Sequence, residues 1–251
     1  MNVRRALVLV ALVGCNARLG GSHLITGHDG GGNDDAGSGS SIVADAKLDG
    51  APACTNGRVI YLNFEGAMLK QAQTASDATM DKAVWMGVGT ATLPKFRPGA
   101  NDRATQIADT VTAFKVPLVG HPEIQVVTTR PAAGPFFEIG FGGAAQTVNV
   151  PYLYAVNRLD CGDAATKSDL AYVFEAAESP QRAANFALGA LLFGLGATGT
   201  TDPNDCMCGW LTNCNAGNNA CTYSTAITAA NGCPGLVNPV DETKFLDKFC
   251  N

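Results

Sequence analysis

Nine cysteines among 251 residues are the first candidates for chemistry in this chain. Eight of them, Cys54, Cys161, Cys206, Cys208, Cys214, Cys221, Cys233 and Cys250, lie beyond residue 50. An even number in an exported chain reads as up to four disulfides. Cys206 and Cys208 are too close to bridge each other, so each is expected to reach a distant partner. The sharper alternative is a thiolate zinc site from Cys206-x-Cys208 with Cys214 and Cys221, but the CxxC pairs of such sites are missing. Histidine is scarce: His23 and His28 lie in a glycine-rich stretch, leaving His121 for the rest of the chain. A hydrolase triad would have to use His121, and no G-x-S-x-G elbow accompanies it. Glu65, Glu138, Glu175 and Glu178 are carboxylate candidates, but nothing in the sequence pairs two of them across a cleft. Gly140-x-Gly142-Gly143 lacks the Lys-Ser/Thr that would make it a phosphate loop.

The ninth cysteine stands in a different context. Met1-Asn2-Val3-Arg4-Arg5 is a basic start, and Ala6 to Val13 are eight uncharged apolar residues. That run is far short of the ~20 needed to span a bilayer and has the n- and h-regions of a secretory signal. Leu12-Val13-Gly14-Cys15 resembles the lipobox of bacterial lipoproteins. The resemblance implies cleavage before Cys15 and lipid on its sulfur and new amino group. Asn16 is not the aspartate that often retains lipoproteins in the inner membrane, which favours the outer membrane. Loss of residues 1–14 would remove Arg4 and Arg5 and deepen the net charge from −5 to −7. With no basic block, nucleic acid and anionic lipid surfaces are poor partners. The expected attachment is to a membrane through Cys15, at the cell envelope.

The elements that must position any site begin after a tether. Residues 15–57 are rich in Gly, Ser, Asp and Asn. Such a stretch cannot bury enough apolar surface to offset its ordering entropy, and reaches about 35 Å. Residues 58–251 form one expected domain, with 206–251 its cysteine-rich part. Strands are expected at 58–64, 123–129, 136–141 and 170–174, an extended run over 147–156, and a helix over 101–115. Residues 67–98 carry no clear pattern. Ser179-Pro180 opens a second helix running to about Phe193, with Gly194 its expected stop. From Phe186 to Leu195 that helix has no polar side chain, so it should be buried on nearly every side. The fold class expected is α+β, α/β-like, with a mixed sheet, a buried central helix and a disulfide-stapled C-terminal region.

The run Ala187-Leu188-Gly189-Ala190-Leu191-Leu192-Phe193-Gly194-Leu195-Gly196-Ala197 is similar in frame to the zinc helix of metzincin-type metallopeptidases, H-E-x-x-H-x-x-G-x-x-H. In that pattern two histidines one turn apart and a third beyond the glycine bind zinc, the glutamate activates the metal-bound water, and a methionine turn lies beneath. Here Gly194 keeps the glycine, and Thr201 to Met207 looks like the segment leading into the methionine turn, with Met207 the methionine. The histidine positions hold Ala187, Leu191 and Ala197, and the glutamate position holds Leu188. Without imidazoles there is no shell for zinc, and without the carboxylate no general base in that place. No cofactor and no catalytic residue are therefore expected. The resemblance implies a zincin-like, non-catalytic module of an envelope lipoprotein, binding a peptide or protein along an edge strand or serving a structural role. Two other readings stay open: an active hydrolase whose residues the sequence does not assemble, and an unrelated disulfide-stapled envelope domain.

Overall fold

The computed structural model describes residues 57–152, 154–200, 202–210, 219–229 and 232–250. The signal, Cys15, the tether, Cys54 and Cys214 lie outside the described residues.

The first strand, β1 (Val59–Asn63), alternates Ile60 and Leu62 toward one face with Tyr61 and Asn63 toward the other. It is followed by β2 (Ala67–Gln71), β3 (Lys82–Ala83), β4 (Thr90–Leu93), α1 (Arg103–Lys115), β5 (Gln125–Val127), β6 (Phe136–Phe141), β7 (Ala155–Val156), β8 (Leu170–Val173), α2 (Pro180–Gly194) and α3 (Thr243–Leu246). The main sheet has the order β5-β1-β6-β8-β7. Strands β5, β1, β6 and β8 run parallel, and the edge strand β7 is antiparallel to β8. The sheet is covered on both sides, so β6 and β8 are buried at every residue. One face, with Ile60, Leu62, Phe137, Ile139, Phe141, Ala171 and Val173, packs on α1 and α2. The other, with Tyr61, Phe136, Leu170 and Tyr172, packs on Leu69, Ala83 and Leu93 of a small sheet ordered β3-β2-β4. The segment 67–98, patternless in sequence, is this small sheet. Only Leu69 of β2 is buried, so the strand shows no alternation to read. The extended run expected over 147–156 is instead a 3₁₀ turn, Ala145–Val148, followed by the two-residue β7.

Helix α2 forms as its ends dictate. Ser179 Oγ accepts the amide of Arg182 at 3.2 Å, and Pro180 takes the first helical position, where its missing N–H costs nothing. The stop differs from expectation. Gly194 is the last helical residue, and Gly196, at φ 102°, reverses the chain. Ala197 N–H donates to Leu192 O (2.9 Å) and Gly196 N–H to Phe193 O (3.1 Å), closing a Schellman motif. Gly194 has another reason to be glycine: a Cβ there would overlap Asn157 Nδ2 and press on the Phe137 ring.

Cys161–Cys233 and Cys206–Cys221 are disulfides, with Cα atoms 5.4 and 4.9 Å apart. Cys208 and Cys250 are also disulfide-bonded. Cys206 thus reaches a distant partner, and the thiolate zinc alternative loses Cys206 and Cys221 to each other. Among the described residues the strand pairing of the C-terminal region is limited to isolated bridges, such as Thr200 to Ala229 and Ile227 to Val240, and Ile227, Ala229 and Val240 form a small apolar cluster of their own. Covalent staples suit a segment with so little regular secondary structure. No helix among the described residues is long and apolar enough to cross a membrane.

Gly194→Ala should lower unfolding stability by about 1–3 kcal/mol through overpacking, although the same change in an open helix gains about 1 kcal/mol. Gly120→Ala, where a Cβ meets nothing within 4 Å, should stay within about 0.5 kcal/mol. Urea denaturation of both variants checks the pair.

Candidate functional site

The four motif positions gather in the interior. Ala187, Leu188 and Leu191 are fully buried and Ala197 is 1% exposed, all in the apolar cluster beneath the sheet. Ala187 and Leu191 lie one turn apart on one face of α2. Met207 belongs to the same cluster, fully buried, on a 3₁₀ turn (Cys206–Trp210) that packs against α2. Asp205 sets that turn, its Oδ1 accepting the Met207 amide at 2.7 Å. Methyl and isobutyl groups therefore occupy the positions where the frame has ligands and base. From the C-terminal region Tyr223 Oη donates to Leu188 O (3.1 Å), and Asn185 Nδ2 of the helix donates to Asn219 O (2.8 Å).

The edge strand lies directly over this helix. Just before β7, the Tyr154 ring stacks on Phe186 at 4.8 Å and 12°, and the Arg182 guanidinium lies 4.4 Å from the Tyr154 ring centre. Just after β7, Asn157 Nδ2 donates to Ala190 O at 2.9 Å. Strand β7 is hydrogen-bonded to β8 on one side and is the last strand of the sheet. Both of its residues, Ala155 and Val156, are buried, so it presents no exposed main-chain edge.

At the carboxyl end of β8 and the start of α2 opens a cleft of about 680 Å³. Phe96, Arg97, Phe174, Glu175, Glu178 and Ser179 line it. Such crevices beyond the carboxyl ends of parallel strands are where α/β sheets hold ligands. Glu178 sits at φ 60°, ψ −50°, and Ser179 N–H donates to Ala177 O at 2.7 Å. This is a γ-turn, a conformation costing on the order of 1–3 kcal/mol for a residue with a side chain. Arg97 Nη1 donates to Glu178 O at 3.5 Å, fixing the far wall.

Of the carboxylates noted in sequence, Glu175 and Glu178 share this cleft. Glu65 is ion-paired with Lys95 (2.8 Å) and Arg103 (2.9 Å), and hydrogen bonds from these two hold its carboxyl below the usual range. Glu138 is on the opposite face of the sheet, where it accepts from Asn63 Nδ2 at 2.8 Å. Burial pushes its carboxyl up to about 7, against the opposing pull of the Asn63 hydrogen bond and the Arg130 charge. His121 Nδ1 lies 3.1 Å from Glu123 Oε1 on the turn after α1 and contributes nothing to the cleft. Among the described residues no histidine–carboxylate–nucleophile set assembles around it.

Two buried acidic groupings escaped the sequence. Asp205 and Glu242 neighbour each other in the interior, and burial first, then the Asp205 carboxyl, raises the Glu242 carboxyl to about 9. Glu242 Oε2 accepts the Ser224 amide (3.2 Å), which ties the C-terminal region to the Met207 turn. Asp160, Asp163 and Asp169 form the second grouping, with Arg58 paired to Asp163 at 2.6 Å. The partners are 37 and 105 residues apart in the first pair and the Arg58 bridge, respectively, so no local spacing announced them.

Glu138, Asp169, Asp205 and Glu242 all have raised carboxyl pKa values, with burial the first cause in each. The folded chain therefore keeps protons that the unfolded chain releases above the usual carboxylate range, and stability should fall as pH rises. The melting temperature should drop between pH 5.5 and 8.5, and Glu242→Gln should flatten the decline. A melting temperature that rises over this interval contradicts the burial of these acids.

No protein-family model matches the chain, and no curated protein matches it.

Proposed function

We propose that this domain is a non-catalytic relative of metzincin-type zinc metallopeptidases. It would be held at a bacterial cell envelope by lipid on Cys15, at the outer membrane, and serve as a peptide- or protein-binding module. The observation that carries this reading is the set Ala187, Leu188, Leu191 and Ala197: apolar at every ligand and base position, buried in one cluster with Met207. The architecture supports it. An antiparallel edge strand lies over α2, α2 directly follows the last parallel strand, and a buried methionine turn packs against the helix. Because both residues of β7 are buried, an extended peptide would lie instead in the cleft at the carboxyl end of β8, between Phe96, Arg97, Glu175 and Glu178.

An unrelated envelope domain is the second reading, favoured by the turn falling at Gly196 rather than Gly194. In that case α2 is core and nothing more.

The mature protein, isolated from membranes, should partition into detergent, and Cys15→Ser should move it to the aqueous phase. The same preparation should bind fluorescent extended peptides weakly, measured by anisotropy, and leave them intact with or without added zinc. Chelator-sensitive peptide hydrolysis would refute the non-catalytic reading.

A further inference from the structure

The loop from β7 to β8 carries three carboxylates into the interior. Asp160, Asp163 and Asp169 are 6%, 2% and 2% exposed. One oxygen of each lies within 4.8 Å of the other two. The loop is built to hold them: Gly162 and Asp163 turn it at positive φ, and Cys161–Cys233 fastens it to the C-terminal region. Asp160 accepts the backbone amides of Ala164, Ala165 and Thr166 at 2.9–3.2 Å, which fixes its side chain in place. Asp163 is gripped by Arg58 (2.6 Å) and by Lys167 (2.9 Å).

Asp169 has no such partner. Its Oδ2 is buried without a hydrogen-bond partner. A buried carboxylate oxygen left unpaired is costly, and here two like charges stand beside it. Three carboxylates thus face two contacting cations. Lys248, the next cation, gives its ammonium to Leu195 O at 2.6 Å. A proton would remove the charge but leave Oδ2 without its hydrogen bond. A hard cation supplies both charge and contact.

We propose that Asp160, Asp163 and Asp169 bind a calcium ion. Calcium takes oxygen ligands at about 2.3–2.6 Å, so oxygens on opposite sides stand about 4.6–5.2 Å apart; magnesium, at about 2.0–2.1 Å, needs them closer. Three oxygens within 4.8 Å of one another can share one calcium ion, whose coordination is flexible, whereas magnesium demands a near-ideal octahedron. All three side chains offer oxygen and none offers nitrogen or sulfur, which disfavours zinc and copper. Lys167, whose side chain is 47% exposed, is free to withdraw its ammonium from Asp163, and water completes the shell. The bound ion would lock the loop that leads out of the edge strand.

Calorimetric melting of the full mature chain at pH 7.5, stripped with EGTA and then titrated with calcium or magnesium chloride, tests the site. A dissociation constant of about 10⁻⁴–10⁻³ M is ordinary for modules outside the cytoplasm. At 5 mM calcium, taken here as roughly five- to fifty-fold above it, the melting temperature should rise by roughly 2–8 °C, and less with magnesium. Asp169→Asn should weaken calcium binding by about tenfold or more. Lys167→Ala, at a half-exposed position, should strengthen it, since the ammonium competes for Asp163; a general loss of folding could not produce that gain. The site is refuted if calcium leaves the wild-type melting temperature unchanged. It is equally refuted if Asp169→Asn raises that temperature while the calcium response persists, which would make Asp169 a proton holder only.

Discussion

Helix α2 has no polar face to offer to water, and the arrangement of the domain follows from covering it. Leu188, Leu191, Leu192 and Leu195 are all fully buried, each worth about 1.5–3 kcal/mol relative to exposure. Strands β6 and β8 roof the helix, α1 flanks it, and the Met207 turn closes another side. The closeness of that packing shows at Gly194, where Asn157 and Phe137 leave no room for a methyl group. Asn157 uses the same contact to tie the edge strand to the helix through Ala190 O. The edge strand, the cleft at the start of α2 and the Met207 turn therefore owe their positions to one apolar cylinder.

That dependence bears on chemistry. A zinc helix must spare one face for imidazoles, water and substrate. On α2 that face is given to packing, and Ala187, Leu191 and Ala197 join the core. Single histidines placed there would be buried without partners, at about 1–3 kcal/mol for each unsatisfied group. The buried acidic groups lie off α2. The Asp205–Glu242 pair braces the methionine turn, and the Asp160, Asp163 and Asp169 cluster braces the loop behind the edge strand. Strain is stored at Glu178, on the wall of the cleft and outside the helix.

What the sequence made legible follows the same physics. Strands β1, β6 and β8 and helix α2 were readable because burial forces continuous or strongly periodic apolar residues upon them. The Ser179-Pro180 start was readable because capping is local. The small sheet was not, since β2 buries a single side chain and its pairing with β4 is a tertiary choice. Gly194 and Gly196 stand two residues apart, and only the backbone tells which of them turns the chain. The acidic cluster has a visible spacing of three and six residues, but its meaning depends on Arg58 and on the turn at Gly162 and Asp163. Residues joined across the fold leave no mark on their neighbours in sequence.

The most direct measurement is zinc binding by the variant Ala187→His, Leu191→His, Ala197→His, with folding verified by near-UV circular dichroism. If α2 keeps the geometry of a zinc helix, three imidazoles converge there and the folded variant takes up one zinc ion per chain, while the wild type binds none at those positions. A folded variant that binds no zinc would contradict the metallopeptidase frame and leave α2 as core alone.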